Sequence, residues 1–159
     1  MAQRWQKKLR LVSQGSEYLV MGYLMCRNIQ VRKAQPNTKG YDLVCVPARQ
    51  GTKPLRIQVK SRSQLKNDGS VPLNRRTING FDYLVAVFLN ITKKQPIARP
   101  EFYTVSQQWV RDHHEQYPSG SGKVFLKKKG MKDEMEAFKD TRGLEEIARE
   151  LGVPRPALY

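Results

Sequence analysis

The apolar positions of residues 15–28 recur three or four apart, which predicts an amphipathic helix. Ser16 stands at its start, where a hydroxyl can accept a hydrogen bond from the first turn, so we expect it to be the N-cap. The predicted buried face consists of Tyr18, Met21, Leu24 and Met25.

Short apolar runs bounded by polar or turn-forming residues then predict a series of β-strands. These strands cover residues 29–33, 41–48, 54–61, 101–105 and 123–126. Residues 81–90, FDYLVAVFLN, are the most apolar stretch of the chain and predict a strand in the interior of a sheet. Ser106 can cap a helix that runs to about Tyr117, and one or two more helices end near Gly152.

This order of helices and strands predicts an α/β or α+β fold, with a central mixed β-sheet flanked by helices. With 159 residues the chain is expected to form a single domain, 1–159, with a basic N-terminal segment and a helical C-terminal segment at about 131–159. The C-terminal segment resembles the first helix and turn of a helix-turn-helix motif. Too few residues follow for a recognition helix, so we interpret it as a packing or dimer-contact helix. Its expected buried stripe is Leu144, Ile147, Ala148 and Leu151.

Polar side chains occupy an unusual place in the hairpin predicted for residues 41–61. Side chains alternate along a strand, so Gln58 and Lys60 lie on one face. A hairpin loop centred near Gly51 would place Asp42 opposite Lys60. An acid, an amide and an ammonium group should therefore meet at the open end of the hairpin.

Such a cluster suits metal-assisted hydrolysis of a phosphodiester bond. Mg²⁺ prefers oxygen ligands and usually takes only one or two protein carboxylates. We expect Asp42 and the Gln58 side-chain oxygen to be ligands, with a second carboxylate from Glu17 in the first helix. Lys60 would orient the attacking water or stabilise the transition state, and Mn²⁺ is expected to substitute for Mg²⁺.

Each of these residues also has a plainer explanation that the sequence leaves open. Asp42 can be a solvated acid near a turn, and Glu17 an acid favoured at a helix N-terminus. Gln58 and Lys60 can form the polar face of an edge strand.

Glu17, Tyr41-Asp42-Leu43 and Gln58-Val59-Lys60, in this order, resemble the core of the PD-(D/E)XK nuclease superfamily over roughly residues 15–110. The order of elements is similar to archaeal Holliday-junction resolvases, and looks more like the group I intron homing endonucleases of this type. The resemblance implies a restriction-endonuclease-like core and a Mg²⁺-dependent endodeoxyribonuclease with Asp42, Gln58, Lys60 and Glu17 as its catalytic residues. Tyr41 replaces the usual proline, and Gln58 replaces the commoner glutamate, which removes one negative charge from the metal site.

The composition indicates that the protein binds a polyanionic partner. The chain has 29 Lys and Arg against 14 Asp and Glu, a net charge of +15, which favours nucleic acid over a membrane surface. No apolar run approaches the roughly 18 residues that a membrane-spanning helix needs. Cys26 and Cys45 lack CxxC spacing, which favours reduced cysteines in a cytoplasmic protein, nucleoid-associated if the source is prokaryotic.

Basic residues beside the predicted site are candidate contacts to DNA phosphates. They are Arg62, Lys66, Arg75 and Arg76 after the hairpin, and Lys127, Lys128 and Lys129 farther along. Cutting both strands of double-stranded or branched DNA needs two sites, so a homodimer or homotetramer is expected. His113 and His114 would point about 100° apart on a helix and would not share a metal ion. We expect one to face the core beside Trp109 and the other to face solvent or phosphate.

Two other functions fit the same sequence. One is a non-catalytic nucleic-acid-binding protein on the same fold, and the other is a basic structural RNA-binding protein in which the polar hairpin face is coincidental. Replacing Asp42 by alanine should abolish cleavage but not binding in the endonuclease, and should change little in either alternative.

Overall fold

A computed structural model of the chain describes residues 2–63, 68–92, 94–96 and 98–155, with side chains from Arg10 onward. The helices are α1 (Ala2–Cys26), α2 (Gln107–His113), α3 (Lys132–Met135) and α4 (Asp140–Glu150). The strands are β1 (Gln30–Lys33), β2 (Leu43–Val46), β3 (Leu55–Arg62), β4 (Ser70–Pro72), β5 (Tyr83–Phe88), β6 (Glu101–Ser106), β7 (Glu115–Gln116) and β8 (Gly122–Phe125). Residues Arg75–Gly80 and Glu136–Phe138 form 3-10 helices. None of the described helices is both long and apolar enough to cross a membrane.

The central sheet has the strand order β1-β2-β3-β5-β6. Only β3 and β5 pair in parallel within it, so the sheet is mixed, as the sequence predicts. A smaller antiparallel sheet has the order β4-β8-β7. It arises from two stretches of the chain, Ser70–Pro72 and residues 115–125, and the sequence analysis predicts no strand in the first of them.

Alternation along the central strands creates a hydrophobic core on each face of the sheet. Ile57 and Val59 of β3 belong to the first core, which α1 and α4 cover. Leu84 and Ala86 of β5 belong to the second, which includes residues of α2 and the smaller sheet. Gln58 of β3 pairs with Leu84 in the parallel register and therefore shares the face of the second core.

Helix α1 begins earlier than predicted, and of its predicted buried face only Leu24 and, in part, Met21 pack into the core. Ser16 is not an N-cap, because its hydroxyl donates to the backbone oxygen of Val12 at 3.0 Å in the middle of the helix. Val20 and Leu24 are fully buried, whereas Tyr18 is 61% exposed and Met25 57% exposed. The apolar spacing thus identifies the helix but not which of two apolar stripes faces the sheet.

Two predictions about the C-terminal half are confirmed, although α2 ends at His113 instead of near Tyr117 because β7 follows it. Ser106 caps α2, because its hydroxyl accepts from the Trp109 N–H at 3.1 Å. Helix α4 packs against the first core through the predicted residues Leu144, Ile147, Ala148 and Leu151. Cys26 and Cys45 are free, the first exposed and the second buried.

Candidate active site

The candidate site lies where β2 stops pairing with β3. The last pair is Leu43–Ile57, whereas β3 continues to Arg62. Asp42 stands just before β2, where its N–H donates to the Ile57 oxygen and its carbonyl accepts from the Ala34 N–H, both at 2.8 Å. The edge of β3 beyond Ile57 is therefore open to side-chain contacts on this side.

The Asp42 carboxylate bonds to β3 where the strand ladder ends. Its Oδ2 accepts from the Val59 N–H at 2.7 Å and from the Gln58 amide nitrogen at 2.5 Å. The predicted register, with Asp42 opposite Lys60, is wrong by two residues, since Asp42 lies beside Gln58. A shift of two keeps every side chain on its own face, so the acid and the amide still meet.

Lys60 follows Gln58 on the same face of β3 and is half-buried. Gln58 is 7% exposed and is among the few buried polar residues of the described chain. The positive charge of Lys60 lies close enough to Asp42 to lower the pKa of that carboxyl group. Acid, amide and ammonium therefore form one cluster.

Glu17 reaches the same place from α1. It lines a cavity of about 470 Å³ together with Asp42, Tyr41 and Lys33. Its carboxylate forms an ion pair with Lys33, whose Nζ lies 2.9 Å from Oε2. Glu17 is thus near the site, but a cation of the protein contacts it.

Lys33 is the residue of this site that the sequence analysis misses. It ends β1 and pairs with Leu43, the residue next to Asp42. Its Nζ also lies 4.5 Å from the centre of the Tyr18 ring. Its hydrogen bond to Glu17 raises the pKa of the Lys33 ammonium, which keeps it charged. Only the order of β1 and β2 in the sheet brings it here, and no local sequence signal gives that order.

The pKa of Asp42 is raised from its ordinary value, chiefly because burial disfavours the charged form. The hydrogen bond from the Val59 N–H opposes this effect, while the negative charge of Glu17 adds to it. The ammonium groups of Lys60 and Lys33 lower the pKa of Asp42 again. The carboxylate is therefore under-compensated in the protein alone, and an added cation would stabilise it.

The oxygens of the cluster suit a hard divalent metal. No group of three or more His, Cys, Asp or Glu side chains among the described residues is placed to hold one. Asp42 and Glu17 nevertheless offer two carboxylates in one cavity, and no described residue donates to the Gln58 side-chain oxygen. Mg²⁺ commonly takes one or two carboxylates and completes its shell with water and phosphate oxygens, so this set fits Mg²⁺ or Mn²⁺.

Arg62, the predicted phosphate contact nearest the site, is anchored to β4. Its Nε donates to the Ser70 oxygen at 2.8 Å, and its Nη2 lies 3.6 Å from Asp68. Lys66 lies outside the described residues. Arg75 and Arg76 are exposed on the 3-10 helix Arg75–Gly80. Of the described residues of this set, Arg62 is thus held by a backbone oxygen and a carboxylate, whereas Arg75 and Arg76 are exposed.

The three consecutive lysines lie elsewhere, around a separate cavity of about 370 Å³. Lys127 forms an ion pair with Glu101 at 2.8 Å, and Lys128 lies over the Phe125 ring at 4.9 Å from its centre. Lys129 is exposed. Lys127 is therefore partly neutralised, and Lys128 and Lys129 are the members of the triplet that remain candidates for contacts to DNA.

The adjacent histidines point to different surroundings. His113 stacks on Trp109 with ring centres 4.0 Å apart, and its side chain is 37% exposed. His114 Nε2 lies 2.7 Å from the Leu73 oxygen and is half-buried. One histidine lies beside Trp109 as predicted, but that residue, His113, is exposed instead of facing the core, and His114 is the half-buried one.

Comparisons with known proteins give structural neighbours without sequence relatives. No protein-family model and no curated protein sequence matches the chain. The structure of a bacterial homing endonuclease, I-Ssp6803I, superposes with a TM-score of 0.56 at 18% identity over 90% of this chain and 93% of the endonuclease. Hjc, a Holliday junction resolvase from the archaeal hyperthermophile Archaeoglobus fulgidus, superposes with a TM-score of 0.47 at 14% identity over 71% of this chain and 83% of the resolvase.

The superposition on the homing endonuclease spans nearly the whole of both chains. The resemblance carried by Glu17, Asp42, Gln58 and Lys60 in the sequence is to nucleases of the same type. The chain therefore shares the fold of this homing endonuclease, with a mixed central sheet flanked by helices.

Proposed function

We propose that this protein is a metal-dependent DNA endonuclease that hydrolyses phosphodiester bonds. The observation that carries the proposal is the contact between Asp42 and Gln58 beside Lys60, at the point where β3 loses its neighbour. The net charge of +15 favours a nucleic acid as the partner. The fold, which is similar to that of a homing endonuclease, is a suitable scaffold for that chemistry.

Asp42, Glu17 and the Gln58 side-chain oxygen would hold Mg²⁺ or Mn²⁺. Bound there, the metal would lower the pKa of a water molecule and offset charge that develops on the phosphate. Asp42 would bind most strongly, because its pKa is raised by burial and a cation would relieve that cost. Gln58 positions this carboxylate through its amide nitrogen.

Lys60 would act on the phosphate rather than on the metal. It stands on the same face of β3 as Gln58, and an ammonium group there can donate to a non-bridging phosphate oxygen. That contact strengthens as negative charge accumulates in the transition state, which is the condition for catalysis rather than mere binding.

The substrate we propose is double-stranded or branched DNA. The two strands of such a substrate need two sites, so the active form would be a homodimer or homotetramer. The exposed arginines Arg75 and Arg76 would contact its backbone.

A second candidate is a DNA-binding protein on this fold without catalysis. Two observations favour it: Gln58 brings no charge to the site, and Lys33 already pairs with Glu17. The variant Gln58→Glu separates the two functions. If the wild type does not cleave DNA and the missing charge is its only defect, Gln58→Glu should cleave DNA.

The test is cleavage of supercoiled plasmid, of a four-way junction and of a randomised duplex library, each with Mg²⁺, Mn²⁺ or EDTA. The variants are Lys60→Ala and the matched control Lys53→Ala, at the other end of β3, whose side chain is 73% exposed. We expect metal-dependent cleavage by the wild type and Lys53→Ala, and a loss of at least about 100-fold in Lys60→Ala.

The proposal would be overturned if none of the three substrates is cut with either metal. DNA binding without cleavage, in the wild type and in Gln58→Glu alike, would leave the binding protein as the function. Equal cleavage by Lys60→Ala and the control would place the catalytic residues elsewhere.

A further inference from the structure

A polar groove runs between the 3-10 helix Arg75–Gly80, the end of α2 and the β7–β8 hairpin. It comprises two adjoining cavities of about 420 and 670 Å³, which share Arg75 and Gln116 in their walls. The lining residues include Asn74, Arg76, Asn79, Arg111, Ser119 and Ser121. None of the described residues in these walls is acidic, so the groove is a continuous basic and amide-lined surface.

Two arginines in the groove are held by side-chain amides instead of carboxylates. Arg75 Nη1 donates to Gln116 Oε1 at 3.0 Å, and Arg111 Nη2 donates to Asn79 Oδ1 at 2.6 Å. Neither arginine forms an ion pair with a carboxylate of the described chain. Each guanidinium group is thus fixed in direction while its full charge remains available to a ligand.

These two pairs determine which hydrogen-bonding groups face the groove. The amide oxygens of Gln116 and Asn79 already accept from the arginines. Each amide oxygen keeps one lone pair, so most of the free groups of each pair are N–H donors: the amide nitrogen and the rest of the guanidinium fork. The groove therefore favours a ligand that presents acceptors.

Guanine fits that requirement better than the other bases. In the major groove of DNA, guanine presents two adjacent acceptors, N7 and O6, and an arginine fork binds both at once. Adenine and cytosine each present an amino donor on that edge, which would face a second donor. The groove is thus chemically matched to guanine edges.

The groove is physically joined to the candidate active site. A Cβ atom on Gly40, two residues before Asp42, would lie 2.8 Å from the Gly80 Cα at the end of the 3-10 helix, so the two backbones are in direct contact. Tyr41 packs against the second core, which contains Ile78 of the same 3-10 helix. Gln107 of α2 also donates to the Ile78 oxygen at 2.8 Å. DNA bound at Asp42 would therefore meet a rigidly placed groove next to it.

We propose that this groove reads guanines in the DNA major groove, through Arg75 held by Gln116 and Arg111 held by Asn79. The inference rests on the proposed function, in that it assumes DNA as the partner. It assigns sequence preference to these two arginines and a positioning role to the two amides. Arg75 is then more than the phosphate contact that the sequence suggests.

The test selects binding sites from a randomised duplex library in EDTA, so that cleavage plays no part. The variants are Arg75→Lys and Arg111→Lys, which keep the charge but lose the fork. Arg142→Lys is the matched control, since Arg142 lies on α4, is 69% exposed and contacts Glu136 at 3.7 Å. All four proteins are also measured for non-specific binding as a function of salt.

We expect the wild type and Arg142→Lys to enrich a motif with at least two fixed guanines. Each groove variant should lose the preference at one of them by roughly 5- to 150-fold, the range for a bidentate contact to a base. Its non-specific affinity and salt dependence should stay unchanged, because no charge is removed.

The inference is overturned if the wild type enriches no motif, or if both groove variants enrich the wild-type motif with equal strength. In those cases the two arginines do not read bases. Cleavage of plasmid by such a wild type would still support the endonuclease, whereas an enriched guanine motif without any cleavage would support the groove and not the enzyme. Failure to bind DNA at all would remove both.

Discussion

Two aspartates flank β3 and contact it in the same manner. Asp42 lies before β2 and Asp82 lies before β5, on opposite sides of the strand. Each donates its N–H to a β3 carbonyl at 2.8 Å, and each accepts a β3 N–H through its carboxylate at 2.7 Å. The backbone geometry thus distinguishes them very little.

The groups that compensate their charges differ. Arg56 contacts both oxygens of Asp82 at 3.2 Å, and Lys53 lies 3.7 Å away. Burial alone would raise the pKa of Asp82, but the hydrogen bonds from Arg56 outweigh it and lower the pKa. Asp42 has the neutral Gln58 in the corresponding place, and burial raises its pKa.

The comparison separates an acid that stabilises the fold from one that is left available. Asp82 is neutralised inside the protein, so no external cation has much to gain there. Asp42 carries the cost of burial without a fixed counter-ion in contact, which is typical of a residue retained for binding or catalysis. The variants below test that division, beginning with the largest effect.

Replacing Asp42 by asparagine should reduce cleavage with Mg²⁺ by at least about 100-fold. The asparagine oxygen can still accept from Val59 and Gln58, so the loss would come from the missing charge. The measurement is the initial rate of plasmid nicking. Asp82→Asn, assayed well below its melting temperature, is the matched control and should cut at the wild-type rate. Equal rates for the wild type and Asp42→Asn would show that the charge of Asp42 is not needed for cleavage.

Replacing Asp82 by asparagine should instead destabilise the fold by about 1–2 kcal/mol at neutral pH, because Arg56 loses a charged partner. The folded pKa of Asp82 lies below its unfolded value near 3.8. The stability that it contributes is therefore present above that value and is lost as the pH falls towards the folded pKa. Denaturant unfolding of the two proteins across this range should show a difference that shrinks on acidification. A constant difference would mean that packing rather than charge is lost.

The sequence predicts the fold and much of this site because both depend on local patterns. Alternation places Gln58 and Lys60 on one face of β3 whatever the register, so an error of two residues in the hairpin leaves them next to Asp42. The continuous apolar run identifies β5 as an interior strand, flanked by β3 and β6.

The rest depends on contacts between distant parts of the chain. Lys33 reaches Glu17 only because β1 pairs with β2 and α1 packs against β1. Asp82 follows the buried Phe81, and no pattern in the sequence predicts its ion pair with Arg56. Ion pairs of this kind require strand order and register together, and periodicity supplies neither.

Asp42→Asn should also stabilise the fold at neutral pH, in contrast to Asp82→Asn. The folded pKa of Asp42 lies above its unfolded value near 3.8, so the wild type loses stability as the pH rises from that value through the folded pKa. The variant has no such loss. Unfolding in EDTA should therefore show equal stabilities below about pH 3.8 and a more stable variant at pH 7. A less stable variant at pH 7 would show that hydrogen bonding to the charged form outweighs burial.

Replacing Lys33 by methionine should have the smallest effect and sharpen the account of Glu17. If Lys33 and the metal compete for that carboxylate, its removal should tighten Mn²⁺ binding about two- to fivefold, as expected for a partly exposed ion pair. Removing any positive charge near the site would also tighten the binding of a metal cation, so Arg10→Met is the control. Arg10 lines the same cavity, and Lys33 rather than Arg10 forms the ion pair with Glu17. Calorimetric titration without DNA measures both. A larger gain in Lys33→Met than in Arg10→Met that disappears when Glu17→Gln is added would identify Glu17 as a ligand that Lys33 releases, because Lys33 also acts on Asp42. Equal gains would leave Asp42 as the carboxylate that binds the metal.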